Sequence, residues 1–260
     1  LVDFTPNRLP SQYKGITPQK CQFFMGPNYA PLRHEFFTAR IHRSRSKKPN
    51  TPPHLLITPG ATDPTNITGT ILKAIRDSQL DINVTATLSA DAPYKNEVAK
   101  LLNTIGGTLL LDCGVMAQII ERADLIIGSG GMSSWERCCL SKPSILIINA
   151  KNQRANASAL ESIGAAKVIN TWGGGIEIIS AVSTLLENKP ELDKMAKKAG
   201  KICDGLGANR LALAIDNGLK TRVGKAVQLR PALQSDSDTM LTWQKHPSIR
   251  KFARNCAIPD

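Results

Sequence analysis

The chain has 260 residues, of which 42% are hydrophobic, 21% charged and 5% aromatic. An apolar share of this size can bury a core, so the composition excludes a wholly disordered chain. The longest apolar runs, such as residues 144–150, are too short to cross a bilayer as a helix, so no membrane span is predicted.

The net charge of +12 comes almost entirely from the two ends of the chain. Residues 1–50 carry nine Lys or Arg against two Asp or Glu, and residues 221–260 carry seven against three. Residues 51–220 are nearly neutral, with seventeen basic and sixteen acidic side chains. The basic run at residues 40–48 has no interleaved aromatic residues, which favours a solvated linker. No nucleic-acid partner is therefore predicted.

The six cysteines form no C-x-x-C pair and have no spacing to histidine that is typical of zinc. We therefore predict no metal site. Reduced thiols are the simplest interpretation, and they are typical of a cytoplasmic protein.

From His54 onward, short apolar strands alternate with amphipathic helices. The periodicity predicts strands at residues 54–58, 82–88, 108–111, 125–127, 144–148 and 167–169. Helices are predicted between them, including one that begins at Ser133 and one at residues 152–162. Such short strand–helix–strand connections require parallel strands with right-handed crossovers. The predicted fold class is therefore α/β, a doubly wound parallel sheet.

The two ends do not extend this series. Residues 1–50 are predicted to be the end of a preceding domain with its linker, and residues 51–222 the sheet domain. A strand at 226–229 and a helix at 236–245, with Asp236 as its N-cap, are predicted to open a further domain over residues 223–260. The expectation is that the chain is a fragment of a longer protein.

Two loops at the carboxyl ends of predicted strands are candidates for ligand binding. They are residues 58–66 and the glycine-rich residues 128–136, where backbone N–H groups at a helix start favour an anion. Glu136 could accept hydrogen bonds from vicinal hydroxyls, and Asn152-Gln153 lies on the same sheet edge. Neither a Walker A nor a G-x-G-x-x-G motif is present. The alternative is that both loops are only tight turns, with Asn152 as an N-cap.

The segment G-P-N-Y-A-P-L-R-H-E-F, residues 26–36, resembles the G-P-x-Y-x-x-L-R-x-x-F element of a hydrolase family in pseudaminic acid biosynthesis. That family acts on UDP-2,4-diacetamido-2,4,6-trideoxy-β-L-altropyranose. The two loops, Asn152-Gln153 and D-G-x-G-x-x-R at residues 204–210 follow in the family's order. The family is similar to the UDP-GlcNAc transferases of peptidoglycan synthesis. The resemblance thus implies the C-terminal, Rossmann-like half of a GT-B fold.

The resemblance also implies a set of site residues. Glu136 would hold the ribose, the turn at residues 129–134 the diphosphate, and the loop at residues 112–116 the uracil. The sequence departs from the family's pattern at Ala61 and at Val115, and these two positions affect the implied phosphate and uridine contacts. The implied UDP-binding residues are Gly60, Asp63, Asn66, Cys113, Met116, Ser129, Gly130, Gly131, Met132, Ser133, Ser134 and Glu136. The implied sugar side comprises Tyr29, Asn152 and Gln153.

The implied reaction is attack of water on the anomeric carbon, which releases UDP and the free sugar, without a cofactor. In that family, activation of the attacking water resembles general-base catalysis by a histidine. This histidine lies in a G-x-G-H loop of the N-terminal domain. No histidine here matches that loop, so the catalytic residue is left unassigned and the chain alone is expected to be inactive. Two alternatives stay open: a GT-B glycosyltransferase with a UDP-sugar donor, and a non-catalytic UDP-binding module.

Residues near the carboxyl end resemble the opening of a GNAT acetyltransferase domain. They are Leu229-Arg230-Pro231-Ala232, Trp243 and Ile249-Arg250-Lys251. The resemblance implies covalent fusion to an acetyltransferase. Together the two resemblances imply a cytoplasmic protein of bacterial surface-glycan biosynthesis, serving flagellin glycosylation.

Overall fold

A computed structural model describes residues 1–42, 52–169, 174–216 and 234–246. The chain divides into two compact units, Leu1–Leu211 and Ala212–Asp260. In the second unit, the described residues form the end of the helix Gly207–Asp216, the 3₁₀ turn Gln234–Asp236 and the helix α10 (Ser237–Lys245). The candidate site lies in the first unit.

The first unit opens with a small two-stranded parallel sheet and one helix. Its strands are β1 (Val2–Asp3) and β2 (Phe24–Met25), with 3₁₀ turns at Pro10–Tyr13 and Pro27–Tyr29, and the helix is α1 (His34–His42). Phe36 of α1 and the preceding Ala30 are fully buried in the same core layer as the main sheet. Residues 1–42 therefore pack as part of this unit.

The main sheet has six strands, all parallel. They are β3 (His54–Thr58), β4 (Asn83–Leu88), β5 (Thr108–Leu111), β6 (Leu125–Ser129), β7 (Ser144–Ile147) and β8 (Lys167–Ile169). The helices are α2 (Ile67–Ser78), α3 (Lys95–Thr104), α4 (Met116–Arg122), α5 (Ser133–Cys139), α6 (Arg154–Ile163), α7 (Gly175–Glu187), α8 (Lys189–Ala199) and α9 (Gly207–Asp216).

Both faces of the sheet are covered, which explains why its strands are continuous apolar runs. Successive side chains of a strand point to opposite faces. Leu55 and Ile57 of β3 accordingly lie in one core layer with α2, α3 and α7. Leu56 lies in the other layer with Ile126 and Leu146, against α4, α5 and α6. The predicted doubly wound parallel sheet is confirmed.

The strand order is β5-β4-β3-β6-β7-β8, so the sheet reverses its winding direction between β3 and β6. Thr58, the last residue of β3, pairs with Gly128 near the end of β6. The loops after these two strands leave toward opposite faces of the sheet and open a crevice between them. Crevices of this kind hold the ligands of open α/β sheets.

Two predicted helix starts differ in detail from the structure. Residues 151–153 form a 3₁₀ turn, so α6 begins at Arg154 with Gln153 in the N-cap position. The interpretation of Asn152 as an N-cap is therefore wrong. Asp236 does occupy the N-cap position of α10, but its side chain makes no capping hydrogen bond.

Some predictions fall outside the described residues. These are the strand at 226–229 and the domain boundaries at 50/51 and 222/223. Of the helices in the described ranges, none combines the length and the apolarity that a bilayer crossing requires.

Candidate functional site

A cleft of about 270 Å³ opens at the carboxyl edge of the main sheet, at the point where the winding reverses. Five predicted site residues line it: Gly60, Cys113, Met116, Ser133 and Glu136. The predicted loops at residues 58–66 and 112–116 also contribute Thr58, Ala61 and Asp112. The structure adds residues that were not predicted, namely Thr87, Leu88 and Ser89 at the end of β4 and Ile120 of α4. Residues from five separate elements thus meet in one cavity.

Glu136 is the acidic group of α5 at this cleft. Its side chain is 18% exposed, and burial raises the pKa of its carboxyl above the ordinary value. The guanidinium of Arg33 lies 3.9 Å from its Oε1, and Arg33 itself is more than half exposed. Among the residues that the structure describes, none donates a hydrogen bond to the carboxylate of Glu136. A carboxylate held out of water and without donors is suited to accept hydrogen bonds from a ligand.

Arg137, which the sequence analysis did not single out, lies beneath the glycine-rich loop. It is 1% exposed, and burial lowers the pKa of its guanidinium to about 10. Its Nη2 donates to the Ser129 carbonyl at 2.6 Å and to Ser134 Oγ at 3.1 Å, and its Nη1 donates to Ser133 Oγ at 3.0 Å. Gly128 makes room for it, because a Cβ there would lie 2.6 Å from Nη1.

Gly130 of the glycine-rich loop has a close neighbour. A Cβ at Gly130 would lie 3.2 Å from the Gln153 carbonyl oxygen and 3.3 Å from Ala157 Cβ. The loop therefore packs against the start of α6. Since α5 has only seven residues, its dipole is a weak source of positive potential, and the buried Arg137 is the stronger one.

In the loop at residues 58–66, the side chains of Asp63 and Asn66 cap the amino end of α2. The Asp63 carboxylate accepts from the amides of Ile67 and Thr68 at 2.9 and 2.8 Å. Asn66 Oδ1 accepts from the Gly69 amide at 3.1 Å. The cleft itself is lined by Gly60 and Ala61 of this loop. Contact of Asp63 and Asn66 with phosphate stays a prediction.

The sugar-side candidates Tyr29, Asn152 and Gln153 are not among the residues that line the cleft. Asn149 joins the β7 and β3 loops, since its Nδ2 donates to the Pro59 carbonyl at 2.9 Å and its amide donates to Gln153 Oε1 at 3.0 Å. Gln153 also lies beside the glycine-rich loop, with its Nε2 3.9 Å from the Cβ position of Gly131. Tyr29 stacks edge-on against Phe24, with ring centroids 5.5 Å apart.

The two outlying motifs, residues 26–36 and 204–210, are packing partners. Arg210 forms an ion pair with Asp204 and donates to the Asn28 carbonyl at 2.9 Å. A Cβ at Gly207 would lie 2.2 Å from the Ala30 carbonyl oxygen. These motifs therefore fix the N-terminal segment against the sheet unit, beside Arg33 at the rim of the cleft.

No histidine lines the cleft within the ranges that the structure describes. His54 begins β3 at the opposite edge of the sheet, where its ring contacts Thr85 Oγ1 at 2.9 Å. The same ranges contain no group of three metal-ligating side chains. The cleft has the features of a binding site, and its ionisable lining residues are Asp112, Cys113 and Glu136.

Comparison with known proteins adds a family match over part of the chain. Residues 111–212 match the model of the glycosyltransferase family 28 C-terminal domain. This segment runs from the end of β5 to α9 and includes Cys113, Met116, Glu136 and Arg137. The match covers the half of the sheet that carries the glycine-rich loop.

Two relatives and one solved structure are similar to the chain. An uncharacterized protein of Methanocaldococcus jannaschii is 31% identical over 140 residues, which cover 52% of this chain and 29% of that protein. The UDP-2,4-diacetamido-2,4,6-trideoxy-β-L-altropyranose hydrolase of Campylobacter jejuni is 27% identical over 154 residues, 59% of this chain and 54% of the hydrolase. Acinetobacter baumannii MurG superimposes with a TM-score of 0.60 and 19% identity, over 84% of this chain and 60% of MurG.

The structural similarity confirms the fold prediction, a Rossmann-like α/β unit of the kind found in GT-B proteins. The chain spans at most 60% of the length of these three proteins.

Proposed function

We propose that this chain binds UDP-sugars in the cleft at the winding reversal and forms the nucleotide-binding half of a UDP-sugar-processing enzyme. The observation that carries the proposal is the desolvated, donor-free carboxylate of Glu136 facing that cleft. A carboxylate so placed pairs well with the two vicinal hydroxyls of a ribose. The family match over residues 111–212 and the name of the Campylobacter relative support the same ligand class.

In the proposed complex, the ribose hydroxyls donate to Glu136. The uracil lies against the loop of Asp112, Cys113 and Met116, where the buried hydroxyl of Ser89 has no partner in the unliganded chain. The diphosphate lies along residues 129–134, near the positive charge of Arg137. The remaining predicted contacts, including Met132, Asp63 and Asn66, belong to the same proposal.

We further propose that the reaction is hydrolysis: water attacks the anomeric carbon, and UDP and the free sugar leave. A buried positive charge near the diphosphate would stabilise the charge that develops on the leaving group. The sugar would lie toward Asn152, Gln153 and Tyr29. The general base would lie outside this chain, because the family that the sequence resembles has it in a G-x-G-H loop that this sequence lacks. Transfer of the sugar to an acceptor is the alternative chemistry for the same cleft.

The physiological setting is proposed from the sequence resemblance alone. It comprises a cytoplasmic location, a role in bacterial surface-glycan biosynthesis and fusion to a GNAT-like acetyltransferase. The residues that carry the acetyltransferase resemblance lie mostly outside the described part of the chain.

Isothermal titration calorimetry with UDP tests the binding proposal, and ADP is the comparison ligand. Saturable binding of UDP, at least tenfold tighter than ADP, is expected. Equal affinity for both nucleotides, or no UDP binding, would contradict the proposal. Incubation with the UDP-sugar in the absence of an acceptor tests the chemistry: this chain alone is expected to release no UDP, and rapid release would show that its own residues include the base.

A further inference from the structure

We propose that Arg137 is a positioning residue for the phosphate end of the cleft: its guanidinium orients the Ser133 hydroxyl to donate into the cleft and supplies the positive charge for an anion. This inference rests on the proposed UDP site and extends it. Arg137 does not line the cleft itself and acts through Ser133, which does.

The hydrogen bonds set the direction of the Ser133 hydroxyl. Arg137 Nη1 donates to Ser133 Oγ at 3.0 Å. A guanidinium has no acceptor, so the oxygen of Ser133 must accept in this pair. The hydroxyl proton of Ser133 is thereby left for another partner. Since Ser133 lines the cleft, a phosphate oxygen there would receive it.

Ser134 has a different role, although it is the next residue. Its hydroxyl is 1% exposed, accepts from Arg137 Nη2 at 3.1 Å and donates to the Ser129 carbonyl at 3.2 Å. Both directions of this hydroxyl are therefore occupied within the protein. Of the two adjacent serines, Ser133 has a donor to offer a ligand, and Ser134 fastens the loop.

The charge of Arg137 is not neutralised by an ion pair. None of the ion pairs among the described residues includes it. Its Nε is buried without a hydrogen-bond partner, and the residue is 1% exposed. The neighbouring Glu136 carboxylate attracts this charge from a distance but forms no direct ion pair with it. A buried charge without a direct ion pair is unfavourable, and a bound anion would compensate it further. The geometry thus leaves both a donor and a buried cation without a direct ion pair at the end of the cleft where the diphosphate is proposed.

The test compares ligands with and without phosphates on variants of the 260-residue chain. UDP, uridine and inorganic pyrophosphate are titrated into wild type, Arg137→Met, Arg137→Lys and Ser133→Ala by calorimetry. Arg137→Met is expected to weaken UDP about tenfold to a hundredfold and uridine less than threefold, because a charge-assisted contact is lost. Arg137→Lys keeps the positive charge but lacks the two donor nitrogens of the guanidinium, so an intermediate loss of UDP affinity is expected.

The double variant Arg137→Met with Ser133→Ala isolates the coupling. If Arg137 acts through Ser133, removing the hydroxyl from Arg137→Met weakens UDP far less than removing it from wild type. Lys142→Met and Ser144→Ala are matched controls at the amino edge of β7, with a cation on backbone carbonyls and a buried serine. Both controls are expected to bind UDP like wild type.

Several results would overturn the role proposed for Arg137 and Ser133. Folded Arg137→Met with wild-type UDP affinity would overturn it, as would strictly additive losses in the double variant. If Arg137→Met fails to fold, Ser133→Ala alone decides, since unchanged UDP affinity would overturn the role given to its hydroxyl. Wild type that binds pyrophosphate but not UDP would refute the nucleotide proposal and keep the anion site. Binding of neither ligand would refute both.

Discussion

Replacement of Glu136 by Gln distinguishes the effect of this carboxylate on the stability of the fold from its effect on UDP affinity. The variant keeps the shape of the side chain and removes its charge, while the surrounding cleft is unchanged. In the free protein Glu136 is already desolvated and without hydrogen-bond donors among the described residues. Ribose hydroxyls would therefore add charge-assisted bonds at a smaller desolvation cost than an exposed carboxylate would incur.

The magnitude follows from the two bonds. Hydrogen bonds to a charged group contribute about 1.5–3 kcal/mol each, and a neutral amide oxygen recovers roughly half of that. Glu136→Gln should weaken UDP binding by about 1.5–3 kcal/mol, which is roughly 10- to 150-fold in Kd. Calorimetry measures the change, and Glu177→Gln, at an exposed position of α7, is the control.

The same variant should not lose stability without ligand. Burial raises the pKa of Glu136, so the folded state holds this proton more tightly than the unfolded state does. Wild type therefore loses stability as pH rises through the unfolded and then the folded pKa, and Glu136→Gln lacks this loss. At pH 7 the unliganded variant should melt no lower than wild type, while UDP should raise its melting temperature less. A folded variant that binds UDP within threefold of wild type would refute the assignment.

Three further predictions concern the frame around the cleft. Gly128→Ala should destabilise the fold by about 1–3 kcal/mol in urea denaturation, because its Cβ would lie 2.6 Å from the buried Arg137 guanidinium; an unchanged midpoint would contradict the packing. Gly207→Ala should expose residues 1–42 to limited proteolysis, because its Cβ would meet the Ala30 carbonyl at 2.2 Å; Gly114→Ala, with open space around it, is the control, and equal cleavage of both would refute the docking. Hydrogen bonding by Arg210 lowers the pKa of Asp204 below its ordinary 3.8, so the pair stabilises the fold above that pH and the stability is lost on further acidification. The stability gap between wild type and Asp204→Asn should therefore be largest near neutral pH and shrink below pH 3.8; a constant gap would contradict this.

The sheet was predictable because its physical signal is local. Buried parallel strands are apolar on both faces, and runs such as residues 54–58 and 144–147 show this directly in the sequence. The cleft followed from the rule that ligands lie at the carboxyl ends of strands. Gly60, Cys113, Met116, Ser133 and Glu136 were predicted as site residues, and the structure brings them together.

What the sequence did not reveal depends on contacts between distant residues. Arg137 looks like an ordinary helix cation in the sequence, and its burial becomes evident only when β6 and α5 are folded around it. The pairing of Arg210 with Asn28 joins residues 182 positions apart, which no local pattern indicates. The close approach of Gln153 to Gly130 likewise joins residues that are far apart in the sequence. The residues flanking the cleft at the end of β4, such as Ser89, could have been found by applying the strand-end rule to every strand.

A crystal structure of the chain with UDP tests the central claim most directly. The account predicts the ribose hydroxyls within hydrogen-bonding distance of Glu136, the uracil against residues 112–116, and the diphosphate along residues 129–133 with an oxygen on the Ser133 hydroxyl. UDP bound elsewhere on the chain, or in this cleft with its ribose turned away from Glu136, would contradict it.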